Sequence, residues 1–157
     1  MQAPHAAIEP RDERETFLVD LLDGLWARYR SRVEPARRYE ALVERHGGVF
    51  LNDHLAFRTL AWQSPADGIA SISRLFEALG YEAAGSYRFP DKKLASTHFR
   101  HPNGRFPKLF ISELRCWELS ASARRVVAAS LNRSRKPLQG LPTVRAARGV
   151  ACRKSSA

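Results

Sequence analysis

Few of the features that usually announce a chemistry are present in this chain. Its 157 residues include only two cysteines, Cys116 and Cys152, far apart in sequence. That spacing excludes a Cys-x-x-Cys ligand pair and a disulfide framework, and reads as two free thiols in a reducing cytoplasm. There is no Gly-rich phosphate loop and no Ser-His-Asp ordering. No run of about 18 apolar residues occurs, so no transmembrane helix is expected and a membrane is not an expected partner. The first residues, Met1 to Arg14, are polar, are broken by Pro4 and Pro10, and lack the apolar centre of a secretory signal. Residues 1–11 are expected to be disordered.

Acidic residues are missing from the end of the chain. All sixteen lie between Glu9 and Glu118, against seventeen basic residues over 1–118. Residues 119–157 carry nine basic side chains and no acid. The net charge of +10 therefore belongs almost wholly to the tail. Such a balance invites a nucleic-acid partner. Against that, no aromatic residue follows Trp117, so the tail has no stacking platform, and nucleic acid is not the expected partner. Residues 132–157 have too few apolar groups to offset their ordering entropy and are expected to be disordered or a non-native continuation. A basic arm for an acidic surface is the rival reading.

What is present suffices for one core: 44% apolar residues, with eight Phe and three Trp. Phe17, Leu18, Leu21, Leu22, Leu25, Trp26 and Tyr29 recur at spacings of three and four and predict a helix over 12–30. A second helix is predicted from Pro35 to His46, closed by Gly47-Gly48. A strand is predicted over 54–61. A helix start is read at Ser64-Pro65, with the apolar pattern Ile69, Ile72, Leu75, Phe76 and Leu79 ending at Gly80. Strands are predicted over Tyr81–Pro90, Leu94–His101 and 107–114, the last two separated by Pro102-Asn103-Gly104. A short helix, Ala121–Leu131, follows. The order, two helices and then β-α-β-β-β, is α+β. A single sheet of this kind leaves one face open and wants a second copy of the unit to close against, so a homodimer is a candidate assembly.

The stretch Asn52-Asp53-His54-Leu55-Ala56-Phe57-Arg58-Thr59 carries the most chemistry. Alternation along a strand puts His54, Ala56 and Arg58 on one face and Leu55, Phe57 and Thr59 on the other. Imidazole is the commonest metal ligand, and guanidinium holds carboxylates through two parallel hydrogen bonds. Four residues of strand span about 13 Å, so a long Arg side chain could meet the far end of a small acid whose near end lies on a metal at His54. A strand with one ordinary exposed Arg is the plainer reading. His98 and His101, three apart on a strand end, point to opposite faces and are poorly placed for one metal. Glu113 could face the same cavity as His54. Lys92-Lys93 reads as a solvated turn or an anion contact.

Several segments together resemble a known family. They are Gly47-Gly48-Val49-Phe50-Leu51-Asn52-Asp53-His54-Leu55-Ala56-Phe57-Arg58-Thr59, Tyr87-Arg88-Phe89-Pro90-Asp91-Lys92-Lys93-Leu94, His101-Pro102, and Pro107-Lys108-Leu109-Phe110-Ile111-Ser112-Glu113-Leu114. Over 12–131 the chain resembles the 2-oxoadipate dioxygenase/decarboxylases, or hydroxyglutarate synthases, of lysine breakdown. The resemblance implies a vicinal-oxygen-chelate-like half-barrel, here incomplete, and an Fe(II) cofactor held by two His and one Glu. It implies as partners a 2-oxo dicarboxylic acid and dioxygen. His54 matches the first metal ligand and Arg58 an arginine that positions the keto acid. The second His and the Glu have no counterpart found in this chain. The expectation is an N-terminal portion of such an enzyme, inactive alone. The alternatives are a non-catalytic organic-acid-binding module of the same fold and a basic-tailed nucleic-acid-associated protein.

Overall fold

The computed structural model describes residues 4–62 and 67–134, the last three of these in backbone only. The chain divides after Ala121 into two compact units. The first contains α1 (Glu13–Arg32), α2 (Glu34–Arg45), β1 (His54–Ala61), α3 (Ile69–Ala78), β2 (Glu82–Phe89), β3 (Leu94–Arg100) and β4 (Lys108–Arg115). The described part of the second is the remainder of one helix, α4 (Ala121–Ser134), whose first residue closes the first unit. The expected helix start at Ser64-Pro65 and the tail from 135 onward lie outside the described residues.

Local chemistry sets the helix limits. Asp12 caps α1 by accepting from the Glu15 N–H at 2.9 Å, satisfying one of the orphan donors of a first turn. Leu18 and Leu22 form its fully buried stripe. The α1–α2 hairpin closes on a buried Glu40, 2.9 Å from the Arg30 Nε and reached by the Trp26 indole N–H at 3.4 Å. Trp26 stacks on Phe50 at 4.9 Å, which fixes the segment leading into β1. α2 stops where Gly47 takes a φ of +73°, a conformation glycine adopts without steric cost.

The sheet has the order β1-β4-β3-β2, with β1 parallel to β4 and the β2-β3-β4 meander antiparallel. This is the expected β-α-β-β-β half-barrel unit. Its core lies on one face only. Leu109, Ile111 and Phe99 from the sheet pack with Leu18, Leu22, Phe76 and Leu79 from the helices, and Leu55 and Phe57 join from β1. Each fully buried Leu, Ile or Phe contributes about 1.5–3 kcal/mol of transfer free energy. Tyr81 is buried in the same core and donates to the Pro107 carbonyl at 2.8 Å; burial pushes its hydroxyl pKa up.

The expectation of a disordered stretch over 1–11 is corrected from Pro4 onward. His5 is buried, with its Nδ1 2.7 Å from Asp23, and Ile8 belongs to the core. Arg11 follows with a cluster of bonds to the buried Glu15. Its backbone N–H donates at 2.9 Å, its Nε at 2.8 Å and its Nη2 at 2.6 Å. Asn103 adds a fourth donor at 3.1 Å, tying α1 to the β3–β4 turn. Arg11 above all holds the Glu15 carboxyl down at about 2, well under its ordinary value of 4.5.

Candidate functional site on the open sheet face

The register decides which side chains share the uncovered face. Arg58 on β1 stands opposite Ser112 on β4, Ser112 opposite Ser96 on β3, and Ser96 opposite Tyr87 on β2. One step along, Ala56 stands opposite Phe110 and Phe110 opposite His98. His54 stands opposite Lys108. Side chains at paired positions project to the same side of a sheet. The helix-facing rows are Leu55 with Leu109 and Phe57 with Ile111, whose members are in or against the core. His54, Ala56 and Arg58 are all exposed, on the face away from it. The two sequence candidates therefore emerge on the same side of β1.

His54 has a defined polar partner. Its Nδ1 lies 3.3 Å from an Asp53 carboxylate oxygen, and the other Asp53 oxygen lies 3.7 Å from the Lys108 ammonium. A carboxylate at Nδ1 favours the tautomer with the proton there and leaves the Nε2 lone pair outward, the arrangement common for a metal-ligating imidazole. Both groups are more than half exposed, so the contact orients the ring more than it stabilises the fold. The Arg58 guanidinium makes no hydrogen bond or ion pair with any described residue. Beside it, Ser112 donates to the Ser96 hydroxyl at 3.0 Å, and Ser96 donates to the Ile111 carbonyl at 3.3 Å. A cationic fork thus stands beside two ordered hydroxyls, a suitable seat for a carboxylate.

β1 is also an edge strand, and an open groove of about 670 Å³ runs along it. Trp26, Tyr29, Tyr39 and Phe50 supply its aromatic wall, and His54 stands where the groove meets the open face. The size and lining are those of small-molecule clefts.

Other candidates fall elsewhere. Glu113 does not face His54. It stands opposite Thr59, and its carboxylate accepts from the Ile69 N–H at 2.9 Å, capping α3. Gly68, at a φ of +67°, makes room for it there: a Cβ at that position would collide with the carboxylate. His101 is structural, with Nε2 3.2 Å from the Leu79 carbonyl and Nδ1 accepting from the Asn103 N–H at 3.1 Å. Lys92 and Lys93 lie in the tight turn between β2 and β3, where Lys93 takes a φ of +53°. Cys116 is a buried free thiol, its pKa pushed up by that burial, and Cys152 lies outside the described residues. Tyr87, Ser96, Phe110 and Ser112 were given no role in the sequence reading, and His98 appeared there only as half of a histidine pair poorly placed for one metal. Strand alternation could have paired each with its own neighbours, but only the register joins them to His54 and Arg58.

An imidazole such as that of His54 is a donor type that iron accepts, but the described residues contain no group of three or more His, Cys, Asp or Glu able to hold a metal. His54 would be one ligand of such a site.

Comparison with known proteins gives a consistent picture. A sequence model of the 2-oxoadipate dioxygenase/decarboxylase family matches residues 22–151, a span that runs beyond the 12–131 of the sequence resemblance and into the basic tail. A rice (Oryza sativa subsp. japonica) chloroplastic/amyloplastic 2-oxoadipate dioxygenase/decarboxylase is 30% identical over 133 residues, covering 78% of this chain and 36% of the rice protein. The crystal structure of the Oryza sativa hydroxyglutarate synthase in complex with 2-oxoadipate superposes with a TM-score of 0.71 at 29% identity. It covers 85% of this chain and 46% of that one. A Ralstonia eutropha protein of the glyoxalase superfamily superposes at 0.64 with 27% identity, covering 69% of this chain and 36% of that one. The chain spans about a third of the length of the rice enzyme it matches. No helix among the described residues is long and apolar enough to cross a membrane.

Proposed function

The chain belongs to the 2-oxoadipate dioxygenase/decarboxylase family, and from that premise we propose that its open sheet face supplies one wall of an Fe(II)-dependent site. The reaction is the conversion of 2-oxoadipate and dioxygen into 2-hydroxyglutarate and carbon dioxide. One observation carries the reading: His54 and Arg58 share the face of β1 that no helix of their unit covers. The solved rice relative holds 2-oxoadipate, which supports a 2-oxo diacid as the ligand class.

His54 would offer its Nε2 to the iron, oriented by Asp53 on Nδ1. When bound, Fe(II) supplies a template that brings a chelating keto acid and dioxygen together. The chain's own part is binding and orientation. Arg58 takes a substrate carboxylate through two parallel hydrogen bonds, and the Ser112 hydroxyl beside it can turn from Ser96 to donate a third. The apolar row Leu60, Leu114, Leu94 and Phe89, one step farther along the sheet, bounds the carboxylate seat and disfavours a longer polar chain. A non-catalytic organic-acid-binding module would use the same Arg58 without the metal.

Anaerobic Fe(II) titration of the full chain, followed by NMR of the histidine rings, separates the two. The iron reading expects broadening at His54 that His54→Ala removes, with 2-oxoadipate tightening the binding. Titration that never reaches His54 while 2-oxoadipate still binds through Arg58 overturns the iron reading in favour of the binding module.

A further inference from the structure

The open face also holds a row of rings that the proposed site leaves unused. Phe110 lies between two imidazoles. It stacks on His98 with centroids 5.5 Å apart and planes at 23°, and meets His54 edge to face at 5.7 Å and 78°. His98 stacks in turn on Tyr87 at 5.7 Å and 29°, and the Tyr87 hydroxyl is hydrogen-bonded to His98 Nδ1 at 3.2 Å. The backbone makes room for this. Gly85 stands opposite His98 at a register irregularity, and a Cβ there would come within 2.8 Å of His98 Cε1 and 3.3 Å of the Tyr87 hydroxyl. His98 is only 8% exposed, although it sits on the face that no helix covers.

We propose that Tyr87 and His98 form a positioning pair that acts on His54 through Phe110. The His54 side chain is 55% exposed and has one polar contact, to Asp53 at 3.3 Å. A ring so placed would sample several rotamers unless something limits it. Phe110 provides the wall against which His54 turns its edge. Phe110 is itself immobilised by the stacked His98, whose ring angle is set by the Tyr87 hydroxyl and by the missing Cβ of Gly85. Stacked and edge-to-face ring contacts have preferred geometries, and such a contact selects one rotamer over its neighbours. The consequence for metal binding rests on His54 being a ligand; the positioning itself does not. Residues that orient a ligating imidazole typically change metal affinity by about 10- to 100-fold.

The test uses the full, metal-free chain and the side-chain NMR signals of His54, assigned by their loss in His54→Ala. His98→Ala should shift and broaden those signals as rotamers multiply. His98→Phe, which keeps the stack, should restore them most of the way, and Tyr87→Phe should fall between. Ser86→Ala, on the helix-facing side of the same strand and hydrogen-bonded to Thr97, should leave them unchanged. Unchanged His54 signals in a folded His98→Ala chain overturn the proposal. If that variant fails to fold, Tyr87→Phe decides, because Tyr87 is half exposed and its ring is retained; unchanged His54 signals there overturn it equally. A Co(II) titration tells the two ideas apart. With His54 a ligand, Co(II) broadens it in the parent chain and binds about tenfold more weakly in His98→Ala. If Co(II) never reaches His54, the ligand reading fails while the metal-free spectra still judge the positioning.

Discussion

Arg58 separates binding from folding more cleanly than any other residue of the face. It is exposed and makes no hydrogen bond or ion pair with any described residue, so replacing it should change folding stability by no more than about 0.5 kcal/mol. Its value lies in the ligand. A guanidinium gripping a carboxylate makes two charge-assisted hydrogen bonds, and hydrogen bonds to charged groups are worth about 1.5–3 kcal/mol each. Arg58→Lys replaces the fork by a point charge and loses about one such bond. At about 1.4 kcal/mol per decade, 2-oxoadipate should bind about tenfold to a hundredfold more weakly. Arg58→Ala should lose more. The assay is a pair of NMR titrations, with 2-oxoadipate and with the monoacid 2-oxohexanoate, alongside a thermal melt. The parent should prefer the diacid, and that preference should collapse in both variants with the melting temperature unmoved. Equal affinity for the diacid in Arg58→Ala and the parent would refute the assignment. A melting temperature lowered by many degrees would instead give Arg58 a structural role that its surroundings do not show.

Two further predictions follow from groups that lie off the face. Glu113→Ala removes the acceptor for the Ile69 N–H at the start of α3 and should cost about 1–2 kcal/mol in a denaturant melt, leaving 2-oxoadipate binding intact; lost binding with unchanged stability would restore Glu113 to the site. Glu15 has a folded pKa of about 2, below its ordinary 4.5, so the folded state binds fewer protons than the unfolded one in between. Its contribution is fully present above about pH 4.5 and is lost as the pH falls toward 2. Glu15→Gln should be less stable than the parent at neutral pH, and the gap should narrow on acidification; a gap constant between pH 7 and pH 2.5 would contradict this.

Much of the scaffold was legible because its signals are local. The strand over 54–61 follows from alternation alone, and Gly47 and Gly80 end their helices as their conformational freedom suggests. That His54 and Arg58 share a face is fixed by their even spacing, which no register can change. Glu113 was misplaced for the complementary reason. Which face of β4 joins which face of β1 depends on pairing Leu55 with Leu109, and a shift of one residue would reverse it. Residues 4–11 read as disorder because their composition is polar and Pro-broken. Their anchors, Asp23 for His5 and Asn103 for the Arg11–Glu15 cluster, lie 18 and 88 residues away from His5 and Glu15 and leave no mark in local sequence. The ring row escaped notice likewise, since Tyr87, His98, Phe110 and His54 come from four different strands.

The most direct measurement is a map of where 2-oxoadipate touches the chain, read as NMR shifts of assigned amides and side chains on titration. Shifts should concentrate on His54, Arg58, Ser112 and Ser96, with Phe57, Ile111 and Phe99 on the helix side nearly silent. Shifts centred on the helix-facing residues, or spread over α1 and α3 while Arg58 stays silent, would contradict a site on the uncovered face.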